Sequence, residues 1–434
     1  MSFEYENLEN LNIQLIDGDR GKNYPKQSEF QESGYCLFLS AKNVTKSGFQ
    51  FSEKVYVSEE RHNLLRAGKL ERYDIVLTTR GTIGNVAFYD NSVLDDVVRV
   101  NSGMLILRAK TTVWNPRFLY FLFTSKIIQE QISSLTSGSA VPQLPAKDLR
   151  KFLLPKVPMG VQNYIVKVIG DLSDKLKIND QTNQTLEEMA QAIFKSWFVD
   201  FDPVKAKMNG EQPEGMDAAT ASLFPEKLVE SELGLIPEGW KVDSLAKIAK
   251  LDTTSVNPAK EPEIIWEHFS IPAFDAGCYP SFDTGESIKS GKYAVKDNSV
   301  LVSKLNPRFQ RIWLPLPTMS EKAICSTEFM QFVPNCSAFK AYLYNLVKST
   351  PFQNELLNTV TGTTGSRQRA QPKQVAKAQV VIPSSKLMEI YCQKVDAMLS
   401  LSQQNIRQNI ELAKLRDTLL PKLLSGEIEL SAEL

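Results

Sequence analysis

The sequence has very few residues of the kinds that build metal centres and disulfide frameworks. Its 434 residues include two histidines, His62 and His268, and five cysteines, none of them spaced as Cys-x-x-Cys. Histidine and cysteine supply most protein ligands for zinc, and an odd number of scattered cysteines does not suit a disulfide framework. We therefore expect neither a metal site nor structural disulfide bonds.

Long apolar runs and a net charge are also missing. No run approaches the roughly 18 apolar residues of a membrane helix, and the N-terminus MSFEYENLEN lacks the features of a signal peptide, so we expect a cytoplasmic protein. Fifty basic and fifty acidic residues cancel, which removes the overall positive charge typical of proteins that bind nucleic acid. A local basic surface offset by acidic faces elsewhere stays compatible with that sum.

Motifs of catalysis are absent as well. No Gly-Lys-Ser or Gly-Lys-Thr marks a P-loop, and no Gly-rich cofactor loop follows a strand. WNPRF (Trp114–Phe118) and LNPRF (Leu305–Phe309) approach the Asn-Pro-Pro-aromatic motif of adenine methyltransferases, but each has Arg where the second Pro is needed. The sequence predicts a chain that catalyses nothing and holds no cofactor of its own. A divergent DNA methyltransferase or nuclease remains the alternative.

The sequence does contain an internal duplication. TLEEMAQAIFKSWF (Thr185–Phe198) returns about 226 residues later as ELAKLRDTLLPKLL (Glu411–Leu424), with apolar residues on apolar residues. The β-rich runs repeat in the same order, so that DIVLTTRG matches NSVLVSKL and SGMLILRA matches STEFMQFV. Such a repeat predicts a chain with near two-fold symmetry, which suits a partner of similar symmetry. Duplex DNA is the leading candidate.

Apolar residues recur at three- and four-residue spacing in two long segments. This stripe predicts an amphipathic helix in each segment, and each helix is the obvious partner for the other. The first stripe consists of Val161, Tyr164, Ile165, Val168, Ile169, Leu172, Leu176, Leu186, Met189, Ile193 and Trp197. The second consists of Tyr391, Val395, Met398, Leu412, Leu415 and Leu419.

Asparagines interrupt both stripes near their midpoints, with Asn179 and Asn183 in the first and Asn405 and Asn409 in the second. A buried asparagine costs stability but fixes the register of paired helices when it meets another amide. In an antiparallel pair Asn179 would lie near Asn409, and Asn183 near Asn405. The alternative is that these side chains are solvated where the helices diverge.

Together these features predict an α+β fold with two mixed α/β domains, two long paired helices and a pseudo-two-fold internal repeat. A stretch rich in Pro and Gly follows the first helix and indicates a connector. The expected boundaries are 1–158 for the first domain, 159–200 for the first helix, 201–235 for the connector, 236–384 for the second domain, 385–425 for the second helix and 426–434 for a C-terminal tail.

Four strings in this order resemble the specificity subunits of Type I restriction-modification systems. They are GSAVPQLPAKDL (Gly138–Leu149), QAIFKSWFVDFDPVKAK (Gln191–Lys207), LGLIPEGW (Leu233–Trp240) and LRDTLLPKLLSGEIEL (Leu415–Leu430). The resemblance covers essentially the whole chain. It implies two target-recognition domains separated by two antiparallel helices as a coiled-coil spacer, with double-stranded DNA, two modification subunits and restriction subunits as partners. S-adenosylmethionine, ATP and Mg²⁺ would then belong to the partner subunits.

Cations and amides at the ends of strands are the candidate DNA contacts. Arg80 ends DIVLTTR and aligns with Lys304 at the end of NSVLVSK, so both repeats would project a long cation from a strand end. Amide and guanidinium groups read adenine and guanine edges in the major groove. The full candidate set is Lys42, Asn43, Thr79, Arg80, Ser139, Gln143, Lys304, Asn306, Arg308, Arg311, Arg367, Gln368 and Arg369.

The same residues also allow two plainer interpretations. Most single Lys and Arg residues are solvated surface cations, and GSRQRAQPK, which contains Arg367 and Arg369, could be an ordinary polar loop. A symmetric scaffold that binds only proteins is the second alternative function.

Overall fold

A computed structural model describes residues 3–136, 143–361 and 368–428. The chain forms two compact units. The first unit comprises residues 1–176 and 411–434, and the second comprises residues 177–410. Each boundary falls inside a long helix, so each unit contains part of both long helices. In the described residues, no helix has the length and apolar content that crossing a membrane requires.

The first unit is built around a four-stranded antiparallel sheet with a smaller sheet beside it. The strand order in the larger sheet is Ile13–Asp17, Met104–Ala109, Ile75–Thr78 and Val86–Phe88. The smaller sheet has the order Tyr56–Val57, Cys36–Leu39 and Val98–Val100, and its last two strands run parallel. Two further pairs join Tyr5–Asn7 to Leu153–Pro155 and Val44–Thr45 to Gly48–Phe49.

Short helices accompany the sheets of the first unit, and Pro116–Thr124 packs on the larger sheet. The short helices are Glu59–Leu64, Pro116–Thr124, Lys126–Thr136 and Ala146–Leu149. The helix Pro116–Thr124 begins at Asn115, whose side chain accepts a hydrogen bond from the backbone N–H of Arg117 at 3.0 Å. Its buried residues share one core with Ile75 and Leu77 of the sheet.

The second unit repeats this arrangement. Its four-stranded antiparallel sheet has the order Ala249–Asp252, Phe329–Pro334, Val300–Ser303 and Ile312–Trp313. The second sheet has the order Ser255–Val256, Lys292–Ala294, Ala323–Cys325, Ile265–Phe269 and Ser281–Thr284, with one parallel pair. The remaining pairs are Lys241–Ser244 with Gln379–Ile382, Leu228–Ser231 with Gly234–Pro237, and Val360–Thr361 with Arg369–Ala370.

The helices of the second unit also follow the order of the first. Those that pack on or flank the sheets are Ile271–Asp275, Lys340–Lys348, Thr350–Asn358 and Pro372–Val375. The segment expected to be a connector, 201–235, contains the helices Asp202–Met208 and Ala218–Ser222 and the strand Leu228–Ser231. Phe201 and Phe224 of this segment are buried in the core of the unit, so the segment is packed structure.

The hydrogen-bond register corrects the alignment of Arg80 with Lys304. Equivalent strands end immediately before Thr79 in one unit and immediately before Lys304 in the other, and their last residues pair with the first residue of the neighbouring strand in both units. Lys304 therefore corresponds to Thr79, and Arg80 corresponds to Leu305. A shift of one residue in a strand moves a side chain to the opposite face, so Arg80 and Lys304 are not equivalent cations.

Backbone conformation supports the same correspondence. The residue after Arg80 is Gly81, with φ +73°, and the residue after Leu305 is Asn306, with φ +47°. Both adopt the left-handed conformation, which glycine and asparagine tolerate better than other residues. The Val-Leu pair and the final cation that DIVLTTR and NSVLVSK share therefore misled the sequence alignment by one position, because the sequence does not record which face of the strand a residue occupies.

The two long helices are Met159–Phe198 and Ser385–Ser425. They run antiparallel within each unit. In the first unit Ile165 and Ile169 share a core with the C-terminal end of the second helix. In the second unit the Tyr391 hydroxyl donates to the Ala190 carbonyl oxygen at 3.2 Å, and its ring centroid lies 5.7 Å from that of Phe194.

Two residues expected on the helix seam are not there. Met189 and Leu415, which occupy matching positions in the repeat, are each 46% exposed, whereas Ala190 is fully buried. One residue along a helix turns the side chain by about 100°, so the seam passes through Ala190 and leaves Met189 on the outer edge. Leu186 and Ile193 are half-buried.

The four asparagines meet across the helix pair, as the register hypothesis predicted. The Asn179 amide donates to Asn409 Oδ1 and Gln408 Oε1, both at 2.8 Å. The Asn405 amide donates to Asn183 Oδ1 at 3.0 Å. Asn179 is 1% exposed and Asn405 is 8% exposed. The solvated alternative is therefore wrong for this pair of helices.

We expect Asn179→Ala to lower the free energy of unfolding by about 1–3 kcal/mol, because the buried Asn179 amide that donates to Asn409 and Gln408 is removed. Denaturant unfolding of the full chain measures this change. Gln404→Ala, on the exposed face of the second helix, is the matched control and should change stability by less than about 0.5 kcal/mol. Equal stability of the two variants would contradict a buried amide seam.

Candidate nucleic-acid interface

In the first unit, three loops meet where the strand Ile75–Thr78 ends. The backbone N–H groups of Thr79 and Arg80 both donate to the Gly103 carbonyl, at 2.8 and 3.2 Å. Arg80 also forms a β-bridge with Gln143. The structure thus brings Arg80 and Gln143, which are distant in sequence, to one exposed edge of the sheet.

The turn that contains Lys42 lies beside the same loops. A Cβ atom placed on Gly81 would lie 4.0 Å from the Cβ of Ala41, and one placed on Gly103 would lie 3.7 Å from the Cβ of Arg80. The φ of +73° at Gly81 favours glycine at that position.

A cavity of about 120 Å³ opens beside Arg80. Its polar lining residues are Asp17, Arg20, Thr79, Arg80 and Gln143. Arg20 forms an exposed ion pair with Asp17 at 2.9 Å. Arg20 is a candidate contact that the sequence analysis missed, although its place in the polar turn DGDR is the kind of signal that could have indicated it.

Arg80 is the best-placed cation of the first unit. Its side chain is exposed, and with the residues that the structure describes it makes no hydrogen bond or ion pair. Its guanidinium group is therefore available to an acceptor from outside.

Two predicted contacts of the first unit are buried, and this corrects the prediction for both. Asn43 is 5% exposed. Its Oδ1 accepts from the Ser40 N–H at 2.9 Å, and its amide donates to the carbonyls of Glu53 and Gln50. Thr79 is 4% exposed, and its backbone N–H donates to the Gly103 carbonyl. The Asn43 side chain uses its hydrogen-bonding groups to stabilise its own turn, so it cannot read a base.

The remaining predictions for the first unit have different outcomes. Lys42 Nζ lies 3.1 Å from Glu53 Oε2, and both side chains are well exposed, so this weak pair leaves the ammonium group accessible. Ser139 lies outside the described residues.

In the second unit, backbone hydrogen bonds gather four of the predicted residues around the end of the strand Val300–Ser303. The Lys304 carbonyl accepts from the Ala370 N–H, and the Asn306 N–H donates to the Gln368 carbonyl, both at 2.9 Å. Leu305 forms a β-bridge with Arg369. Lys304, Asn306, Gln368 and Arg369 thus share one edge of the sheet. Arg367 lies outside the described residues.

Carboxylates hold two arginines of the second unit in a fork. Arg369 Nε lies 3.0 Å from Glu328 Oε2, and its Nη2 lies 3.0 Å from Oε1. Arg311 makes the same two-point contact with Asp275, at 2.7 and 2.9 Å. The Glu328 hydrogen bonds raise the pKa of Arg369 above its ordinary value, so this guanidinium stays charged.

Three other candidates of this edge differ in how accessible they are. Arg308 is exposed, and Lys304 is half-buried. The Asn306 side-chain oxygen is buried without a hydrogen-bond partner among the described residues, so this acceptor is not displayed at the surface. From the zero net charge we expected the acidic groups to lie on faces away from the cations. Instead, Glu53, Asp275 and Glu328 lie directly beside Lys42, Arg311 and Arg369.

The near misses to a methyltransferase motif occupy unrelated places. Asn115 caps a helix, and Arg117 pairs with Asp174 at 2.5 Å. Asn306, in contrast, lies in the loop after a strand. Nowhere in the described part of the chain do three or more His, Cys, Asp or Glu side chains form a group that could hold a metal ion.

We expect Gly18→Ala to disturb the first unit, because a Cβ at this position would lie 2.1 Å from the Asn101 carbonyl oxygen. Backbone would have to move, at a cost of about 1–3 kcal/mol or more in unfolding free energy. Denaturant unfolding measures the loss. Gly291→Ala, where the nearest atom lies 3.8 Å away, is the control and should leave stability close to that of the parent. A stable Gly18→Ala protein would show that these loops are not tightly packed.

Comparison with known proteins connects this geometry to one family. Residues 12–188 match the family model of the Type I restriction modification DNA specificity domain. The Type I restriction enzyme HindI specificity subunit of Haemophilus influenzae is 25% identical over 95% of this chain and 98% of its own length. The MjaIX specificity subunit of Methanocaldococcus jannaschii is 24% identical over 89% of this chain and 86% of its own.

A solved structure shows the same fold. The crystal structure of a Type I restriction-modification system S subunit from M. genitalium aligns with 97% of this chain and 96% of its own, with a TM-score of 0.56 and 13% identity. The family match over residues 12–188 and the two relatives, which cover 95% and 89% of the chain, agree with the four strings and the duplicated fold. Along nearly its whole length the chain is similar to specificity subunits of Type I restriction-modification systems, and its residues 12–188 match their DNA specificity domain.

Proposed function

We propose that this chain is the DNA-recognition subunit of a Type I restriction-modification complex, and that each unit reads one half of an asymmetric bipartite target. One observation carries the proposal. The same strand end in both units leads into a polar edge with an exposed guanidinium group, Arg80 in the first unit and Arg369 in the second. Guanidinium groups that reach a groove read guanine, and several such contacts specify a half-site.

The two edges present different chemistry at equivalent positions. Arg80 bridges to Gln143 in the first unit, and Leu305 bridges to Arg369 in the second. The two bridges are equivalent, but the arginine is on the strand-end side in the first unit and on the partner side in the second. Its bridge partner is the amide residue Gln143 in the first unit and the apolar residue Leu305 in the second. Different donor patterns favour different base sequences, so the two half-sites should differ and the whole target should be asymmetric.

Catalysis belongs to other subunits in this proposal. A specificity subunit supplies recognition, and the modification and restriction subunits would dock on the helices and supply methyl transfer and ATP-dependent cleavage with S-adenosylmethionine, ATP and Mg²⁺. The complex would act in the cytoplasm, where its DNA is.

A catalytic chain and a purely protein-binding scaffold are the alternatives to exclude. Incubation of the purified chain with DNA and labelled S-adenosylmethionine tests the first, since a reading subunit alone transfers no label. Methylation mapping of complexes with the wild-type chain and with a chain altered at its polar edges tests the second. A scaffold that ignores DNA would leave the methylated sequence unchanged.

Arg80→Ala and Arg369→Ala should impair recognition of different half-sites. We expect each to cost about 1–3 kcal/mol in discrimination at one position of its own half, because a bidentate contact to a base is lost. Binding of the assembled complex to duplexes substituted in one half at a time measures this. Lys126→Ala, an exposed helix cation of the first unit, is the control. Uniform weakening on all sequences would instead indicate phosphate contacts.

Lengthening both long helices by one turn should widen the gap between the half-sites. The structure favours insertion of four residues after Leu176 and four after Glu411, because these points face each other in the antiparallel register and lie at the boundary of the two units. Four residues add about 6 Å, and a base pair occupies about 3.4 Å, so the gap should grow by about one or two base pairs.

Methylation mapping of the lengthened variant tests the spacing. Both half-sites should keep their sequences, since neither polar edge is altered. An insertion in one helix only is the control, because it breaks the amide register and should reduce methylation instead of shifting the gap. Altered half-sites, or an unchanged gap, would contradict the spacer role.

A further inference from the structure

The fork between Arg369 and Glu328 leaves a defined part of the guanidinium group unused. Glu328 accepts from Nε and from Nη2, each at 3.0 Å. A guanidinium group carries five N–H donors, so among the residues that the structure describes both donors on Nη1 and the second donor on Nη2 have no partner. These free donors form the end of the fork, which matches the O6 and N7 acceptors of guanine.

Exposure distinguishes Arg369 from the other arginine held in this way. The side chain of Arg369 is 44% exposed, and that of Glu328 is 26% exposed. Arg311 makes the same fork with Asp275, but its side chain is only 17% exposed, and its guanidinium lies 5.5 Å from the Phe309 ring centroid. Of these two arginines, Arg369 is the one whose free edge faces solvent.

Backbone hydrogen bonds fix the position of Glu328 beside the Arg369 guanidinium group. Its carbonyl accepts from the Lys304 N–H at 2.9 Å, and it immediately precedes the strand Phe329–Pro334. Arg369 bridges to Leu305, the residue after Lys304. Backbone bonds to Lys304 and Leu305 therefore hold both the residue that carries the carboxylate and the residue that carries the guanidinium, and a side chain held this way loses little conformational freedom when it binds.

We propose that Glu328 is a positioning residue that orients Arg369 for end-on, two-point contact with a guanine in the half-site read by the second unit. This rests on the proposed function. The Arg80 side chain makes no corresponding pair with the residues that the structure describes, so the first unit reads its half-site with an arginine that no carboxylate orients.

The experiment uses the assembled complex and a target first identified by methylation mapping. Affinity is measured for the cognate duplex, for duplexes with each guanine of the second half replaced, and for duplexes with 7-deazaguanine, which lacks the N7 acceptor. For the wild-type protein, one guanine should account for a loss of about 10- to 100-fold on replacement. With Glu328→Gln, discrimination at that same guanine should fall by about threefold to tenfold, while the first half-site is read as before.

A double variant separates orientation from a structural role. In an Arg369→Ala background, Glu328→Gln should cause no further loss, because a residue that acts through Arg369 has nothing left to orient. Arg369→Lys keeps the charge without the fork, so it should retain affinity but lose discrimination. Glu263→Gln, an exposed carboxylate of the same unit, is the control, and unfolding midpoints verify that the variants are folded.

Each outcome decides a separate point. If the wild-type complex recognises no sequence, the proposed function fails. If it recognises a sequence but Glu328→Gln leaves discrimination unchanged, or lowers it equally with and without Arg369, the role of Glu328 is wrong and the proposed function stands. Retained discrimination in Arg369→Lys would also overturn the two-point contact.

Discussion

Four buried or half-buried asparagines fix the register of the two long helices, and the packing within both units depends on that register. An amide in this position must meet another amide or lose its hydrogen bonds, so a slip by one turn costs several of them at once. The same register places Ala190 against Tyr391 in the second unit and Ile165 with Leu423 in the core of the first. Apolar contacts supply most of the stability, but they would tolerate a slip more readily than the amides do.

The asparagine pairs were predictable because both signals were in the sequence. The repeat identified equivalent positions, and the interruption of an apolar stripe by an amide has few structural explanations. The places of Met189 and Leu415 were not predictable from the same stripe. An apolar residue at the edge of a helix face fits the periodicity whether it points inward or outward, and only the structure shows that Ala190 is buried while Met189 is exposed.

The candidate site was predictable in its region but not in its details. Cations and amides near strand ends do gather at one edge in each unit, because a strand end leads into an exposed loop. Asn43 looked like a reading amide, but its hydrogen bonds go to Ser40, Gln50 and Glu53, and a sequence does not show which backbone groups an amide satisfies. The correspondence of Arg80 with Leu305 could be established only from the hydrogen-bond register of the strands, because it depends on which residues of the two sheets pair.

Charge balance has a local explanation at these edges. Lys42, Arg311 and Arg369 each lie beside a carboxylate, so these candidate recognition cations contribute nothing to the net charge. A carboxylate beside a cation weakens its attraction to every phosphate, but it also restricts the directions in which an arginine can donate. A reader with weak attraction to DNA in general and a well-directed contact at one base gains specificity relative to affinity. The zero net charge of the chain is therefore compatible with sequence-specific DNA recognition. The duplicated fold lets the balance between affinity and specificity differ between the units: no described carboxylate pairs with Arg80 in the first, whereas Glu328 pairs with Arg369 in the second.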